Sequence, residues 1–353
     1  MEYCNLGNSG LEVARLGLGT IPFGTILDDK ACQQFVDIYE EAGGNLIDTS
    51  NLYGGGSVGT NTEMAGTAER AVARALRGKR HRFVVATKGY WLMQDKVRPN
   101  SVGLSRTYLA TQIEASLRRL ETDYIDLYQC HNWDLYTPVE ETMRVLDDFV
   151  RAGKIRYVGV SNWDGWHIVK ANCHARSANL TPILSNQIWY NLADRGAENS
   201  IIPACQDQSV SIIVWGALGI GFLTGKYRRG DEKPVAGARL WAAKDEEMFS
   251  WQRLANDRSW ATLDELSRIA DLRDQTIPNV AMRWLLQSGK ADVVLLGATR
   301  LDQFNSNMDV VNFRLTDEDM QDLTTVSEQP HPYPINFYDI FCRRESPLYG
   351  GLR

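Results

Sequence analysis

Short strand-forming runs alternate with amphipathic helical stretches along most of the chain, and this beat limits the possible folds more than any other property of the sequence. The runs lie near 15–19, 45–48, 83–87, 125–129, 155–160, 183–187, 211–215 and 292–296. Between them apolar residues recur at spacings of three and four, the helical period. Phe35, Ile38, Tyr39 and Ala42 do so in 30–43, Leu109, Ile113, Ser116, Leu117 and Leu120 in 106–121, and Val139, Met143, Leu146 and Val150 in 138–151. Asp28 or Asp29 can cap the first of these helices, and Gly43-Gly44, Gly78 and Gly153 follow helix ends, where a left-handed closing residue is often needed. Eight β-then-α units with right-handed crossovers close into a barrel. The expected fold class is therefore α/β: a (β/α)8 TIM barrel over 1–353 as a single domain, opened by a β-hairpin that turns at Asn8-Ser9-Gly10.

A chain of 353 residues could hold two average domains, but α/β barrels routinely reach this length as one unit. Lys plus Arg number 38 against 44 Asp plus Glu, with no block of like charges, so neither nucleic acid nor an anionic membrane is expected as partner. Six scattered cysteines without a CxxC pair or metal-ligand spacing read as reduced thiols in a cytoplasmic protein without a metal. No basic leader with an apolar core opens the sequence, and no apolar run approaches the ~18 residues of a membrane span. A small-molecule ligand remains as the expected partner, with monomer and homo-oligomer both open.

Four segments at the ends of strand runs carry the chemistry: Asp48-Thr49-Ser50-Asn51-Leu52-Tyr53-Gly54, Ala86-Thr87-Lys88, Gln129-Cys130-His131 and Gly159-Val160-Ser161-Asn162. If the strands are parallel neighbours, an acid, a tyrosine, a lysine and a histidine converge on the carboxyl rim, where such sheets keep their active sites. A carboxylate buried alone costs several kcal/mol, so Asp48 needs a partner, and Lys88 is the obvious one. A free phenol titrates near ~10; a lysine cation beside Tyr53 favours the phenolate, while Asp48 holds the ammonium in place. Tyr53 is then a usable general acid, and His131 can donate a hydrogen bond to a carbonyl oxygen. The plainer reading, an ion pair that merely locks the rim, leaves Tyr53 and His131 to coincidence. Two stretches, 54–63 and 216–258, break the beat, and loops that long are usually functional.

These segments, with Gly17-Leu18-Gly19-Thr20, Asp126-Leu127-Tyr128, the run Gly153 to Asn162, Asn186-Gln187, Leu223-Thr224-Gly225-Lys226-Tyr227 and Ala281-Met282-Arg283-Trp284-Leu285-Leu286, resemble the aldo-keto reductases in order and number. The likeness covers essentially the whole chain and leans towards the bacterial and channel β-subunit-like branch. It implies a barrel carrying a reduced nicotinamide cofactor across its carboxyl rim, with Asp48, Tyr53, Lys88 and His131 as the catalytic tetrad. By the same resemblance Ser161, Asn162 and Gln187 hold the carboxamide, Trp215 stacks on the nicotinamide, and Gly19, Thr20, Ile21 and Asp48 lie along the cofactor. Gly216, Ala217, Leu218, Gly221 and Lys226 cover the pyrophosphate.

Gly297, Ala298, Thr299, Arg300, Gln303 and Asn307 match the adenosine pocket, and Arg300 is the candidate for a 2′-phosphate, because a guanidinium offers phosphate paired donors. NADPH is thus expected ahead of NADH, although Gly297, Gln303 and Ser306 stand where many members carry a lysine, an arginine and an acid, and Gly216-Ala217-Leu218 replaces the commoner Ser-Pro-Leu. Ile21, Phe23, Tyr90, Trp91 and Trp133 follow strand ends and are the expected substrate-pocket residues, with Trp241 or Phe337 and Tyr338 closing it from late loops. Ten tryptophans suit a bulky, partly apolar carbonyl compound. The expected activity is reversible hydride transfer between NADPH and an aldehyde or ketone. Its rivals are a regulatory subunit that binds NADPH with little turnover, and a two-acid glycoside hydrolase, disfavoured because only Asp48 among the acids joins the constellation.

Overall fold

The structure, a computed structural model, describes residues 1–54, 64–94, 96–235, 240 and 250–342. A hairpin of β1 (Tyr3–Asn5) and β2 (Glu12–Ala14) precedes eight parallel strands that close on themselves. These are β3 (Leu16–Gly19), β4 (Leu46–Asp48), β5 (Val84–Gly89), β6 (Ile125–Cys130), β7 (Ile155–Ser161), β8 (Ile183–Trp189), β9 (Ser211–Trp215) and β10 (Val293–Leu296). Neighbours pair in chain order, and β10 shuts the barrel against β3 with Val294 opposite Leu16. All eight expected strands are present, and four of them (β5, β6, β7 and β8) run one or two residues further into the rim.

The strand period of two sorts the side chains. Leu46, Val84, Ala86, Leu127, Ile213 and Val293 pack together inside the barrel with Leu6 and Val13 of the hairpin. Ile47, Val85, Tyr128, Val158 and Val214 alternate with them and join the larger core shared with the helices. The same alternation, carried one layer toward the carboxyl ends, turns Asp48, Lys88 and Gln129 inward above that apolar floor.

The helices begin and end where the sequence marks them. α1 (Asp29–Glu41) is capped by Asp28, whose carboxylate accepts from the Ala31 amide at 2.8 Å. Gly43 takes the left-handed conformation expected of this glycine pair; Gly44 does not, and is small because the Tyr39 ring fills the space a Cβ would need. α2 (Thr67–Ala75), α3 (Arg106–Arg119), α4 (Val139–Arg151), α5 (Gly165–Ser177) and α6 (Ile201–Asp207) follow successive strands or rim loops. Of the two stretches that break the beat, 55–63, 236–239 and 241–249, with Trp241, lie outside the described residues.

Candidate active site

At the carboxyl ends of β4 and β5 the inward period delivers an acid and an amine to one point. Lys88 is fully buried and Asp48 is 2 % exposed. The Lys88 ammonium donates to Asp48 Oδ2 at 2.7 Å, to the Thr49 carbonyl at 2.9 Å and to the Tyr53 hydroxyl at 2.9 Å, which uses all three of its protons. Asp48 Oδ1 accepts from Gln187 Nε2 at 2.7 Å and from Gln129 Nε2 at 3.2 Å, so the carboxylate is saturated by cation and amides together. Burial alone would lower the pKa of Lys88, but Asp48 and Tyr53 beside it reverse the sign and raise it above the usual lysine value. The lysine is a fixed cation.

His131, just past β6, faces the same space. Its ring centroid lies 6.0 Å from that of Tyr53, edge to face, and 6.0 Å from that of Trp91. Nδ1 sits 3.2 Å from the Ser50 hydroxyl. Burial, reinforced by the Lys88 charge, holds the imidazole well below its ordinary pKa, so it is neutral at physiological pH. Tyrosine hydroxyl, buried cation, carboxylate and neutral imidazole therefore meet on one rim, as the sequence led one to expect.

Next to them Ser161 Oγ donates to the Gln187 carbonyl at 2.9 Å. Asn162, in the left-handed conformation at φ +58°, donates to the His131 carbonyl at 3.2 Å and accepts from Trp215 Nε1 at 3.0 Å. Trp215 packs on Trp189 with centroids 5.0 Å apart. Thr20 is buried and donates to the Asp48 carbonyl at 2.9 Å; Gly19 pairs with Asp48 across β3 and β4, and Ile21 is exposed.

Beyond β9 the backbone turns through left-handed residues at Gly216, Gly219, Ile220 and Gly221, followed by Gly225. The Lys226 ammonium lies over Gly221, 2.8 Å from where a Cβ would stand. Partial burial lowers its pKa, and among the described residues no carboxylate is within ion-pairing distance. The Lys226 side chain is itself exposed to solvent above this compact loop. Ala217 is buried and Leu218 packs against the core. On the far side Gly297, Thr299, Arg300 and Gln303 are exposed, whereas Ala298 and Asn307 are buried. Arg300 is held by Asp302 in a two-pronged pair, Nε to Oδ1 at 3.0 Å and Nη2 to Oδ2 at 2.7 Å.

The expected substrate residues separate. Tyr90 and Trp91 pack edge to face at 5.1 Å beside His131, and Trp133 stacks on His167 at 3.8 Å, with Trp163 and Trp166 against it. Phe23 does not reach the rim: the chain folds back through the Phe23 amide to the Thr20 carbonyl, and the wholly buried ring packs on Phe35. Phe337 and Tyr338 stand on a helix, Ile335–Phe341, none of whose residues is buried. Sequence reasoning gave no role to Gln129, Ser50, Trp166 or His167; Gln129 shares the inward period of Leu127, a usable signal, while the others depend on loop packing.

The chain matches the sequence profile of the aldo/keto reductase family over residues 15–328. It belongs to that family. An uncharacterized oxidoreductase of Bacillus subtilis, YrpG, is 32 % identical over 94 % of this chain and 97 % of its own length. Norsolorinic acid reductase A of Aspergillus parasiticus is 29 % identical over 94 % of the chain and 82 % of its own. A probable voltage-gated potassium channel subunit beta of Arabidopsis thaliana is 30 % identical over 88 % and 92 %. This aldo/keto reductase is thus an oxidoreductase by family, and among its described residues no helix is long and apolar enough to cross a membrane.

Proposed function

We propose that this aldo/keto reductase is an NADPH-dependent carbonyl reductase acting on a bulky, largely apolar aldehyde or ketone. The observation that carries the reading is the Lys88 ammonium, wholly buried and bridging Asp48 Oδ2 and the Tyr53 hydroxyl. When bound, the reduced nicotinamide supplies hydride to the carbonyl carbon. Tyr53 gives its hydroxyl proton to the carbonyl oxygen, and Lys88 favours the phenolate left behind. In the tautomer in which Nδ1 accepts from the Ser50 hydroxyl, the neutral His131 carries its proton on Nε2, a donor for the same oxygen. Ser161, Asn162 and Gln187 hold the nicotinamide amide, Trp215 its ring, Gly216 to Lys226 the pyrophosphate, and Arg300, Gln303 and Asn307 the adenosine end.

Trp91 beside His131, and Trp133 and Trp166 around His167, support an aromatic substrate, as does the likeness to norsolorinic acid reductase A. Reduction is followed as loss of absorbance at 340 nm with NADPH or NADH and a panel of aromatic and aliphatic carbonyl compounds. Turnover that falls about 100- to 10,000-fold in Tyr53→Phe, with cofactor still bound, is expected. Near-normal turnover in that variant would sink the mechanism. Tight binding without turnover on any compound would favour a regulatory role, which the likeness to a channel β subunit makes the second reading.

A further inference from the structure

Behind the tetrad, on the outer face of β5, stands a buried carboxylate that the chemistry above does not use. Glu69, in the first turn of α2, has no exposed surface. One oxygen accepts from Thr87 Oγ1 at 2.6 Å, and the other accepts from Arg119 Nε on α3 at 2.5 Å. Thr87 precedes Lys88 on β5 and, by the strand period, points outward where Lys88 points in. On the other side of Glu69 the Ala68 amide donates to the backbone carbonyl of Tyr53 at 3.3 Å.

These bonds close a ring. From the Lys88 ammonium it passes to the Tyr53 hydroxyl, along Tyr53 to its carbonyl, through Ala68 to Glu69, across to Thr87, and back along the chain to Lys88. The Lys88–Tyr53 contact at 2.9 Å is one side of this ring, and Glu69, like Thr87 and Lys88, has no exposed surface. The base of the 54–66 excursion is tied into the same place. Gly54, at φ +99°, packs so closely on Met64 and Thr67 that a Cβ would lie 2.7 Å from the Met64 carbonyl. Gly66, at φ +79°, leaves the space that the Arg119 side chain crosses on its way to Glu69.

We propose that Glu69 is a positioning residue: through Thr87 and the first turn of α2 it fixes the distance between the Lys88 ammonium and the Tyr53 hydroxyl. The inference rests on the reading of Tyr53 as the proton donor. A charged, wholly enclosed carboxylate with one neutral and one cationic donor is a rigid clamp, because moving either donor strands a buried charge. Rigidity matters where proton and hydride must arrive together, since a displacement of about 1 Å in such a site costs ~100-fold in rate.

Two variants test it. Glu69→Gln removes the charge; Thr87→Val removes one hydrogen bond with no change of charge and little of size. Both are expected to lower kcat about 10- to 100-fold while the NADPH dissociation constant stays within about twofold. The second readout needs no turnover: carbon-13 NMR of tyrosine labelled at Cζ, with the Tyr53 line assigned by its loss in Tyr53→Phe. Loosening the Lys88 contact should move the Tyr53 titration upward in both variants. A simple charge effect would move it downward in Glu69→Gln, because a negative charge has been taken away, and would leave Thr87→Val unmoved. Lower heat stability with kcat and the Tyr53 titration as in the unmodified protein would overturn the proposal and leave Glu69 as a brace between helices. If Tyr53→Phe keeps its turnover, the proton-donor reading falls; the Tyr53 titration in the two variants still decides the clamp, an upward shift supporting it and any other result overturning it.

Discussion

His131 shows how one half-buried side chain can set the pH behaviour of the molecule. Burial first, and the Lys88 cation second, hold it well below the ordinary value of 6.5, so the folded protein keeps it neutral while the unfolded chain takes up a proton near that value. Between the two pKa values the unfolded state binds one proton more, so stability is fully present above about pH 6.5 and falls with acidification, by at most ~1.4 kcal/mol per pH unit. His167 is depressed too, chiefly by burial, and adds to the same slope. Urea melts between pH 5 and 8 should therefore show a shallower acid slope in His131→Gln, and an unchanged slope would mean the imidazole is not depressed. Arg300 illustrates the opposite setting. Its exposed pair with Asp302 must be opened before a 2′-phosphate can use both prongs. Asp302→Asn should then tighten NADPH binding a few-fold and leave NADH unchanged, read by quenching of tryptophan fluorescence. An equal gain for both cofactors would show the acid acting on the dinucleotide generally.

At the scale of elements, the turn after β9 ties backbone shape to the face proposed for the cofactor. Gly216 sits at φ +70°, and a Cβ there would lie 2.3 Å from the Trp189 ring, which in turn supports Trp215. Gly216→Ala should cost ~1–3 kcal/mol through strain and overpacking. It should also weaken cofactor binding several-fold by displacing the Trp189–Trp215 pair, both read from thermal melts with and without NADPH. A loss of stability with cofactor affinity intact would separate the turn from the nicotinamide face. The eight strands were legible because apolar runs and helix caps are local signals, and the convergence of Asp48, Tyr53, Lys88 and His131 because the segments that carry them close such runs. Phe23 was misread because nothing local announces the fold-back to Thr20, and the pairing of Asp302 with Arg300 was missed because an acid two residues on is read as a helix-start residue before it is read as a partner. Glu69 was invisible for a related reason: its two partners, Thr87 and Arg119, lie on two other elements, and an acid in a first helical turn is usually solvated.

Across the whole molecule the barrel separates stability from chemistry by its two ends. The hairpin plugs the amino end: Leu6 and Val13 are fully buried against Leu46, Val84, Leu127 and Val293. The Gly7 amide donates to Ser211 Oγ at 2.7 Å and the Ala14 amide to Asn45 Oδ1 at 2.7 Å, where β9 and β4 begin. The contacts of Asp48, Tyr53, Lys88 and His131 lie at the other end of these strands, above the apolar floor. Leu6→Ala should therefore open a cavity and cost ~2–5 kcal/mol, seen as a lower urea midpoint with the same slope. Well below the melting temperature its NADPH affinity and kcat should match those of the unmodified protein, because the parallel ladder holds the rim in register without the plug. A fall in kcat at temperatures where the variant is fully folded would show instead that packing at the amino end is transmitted along the strands to Lys88.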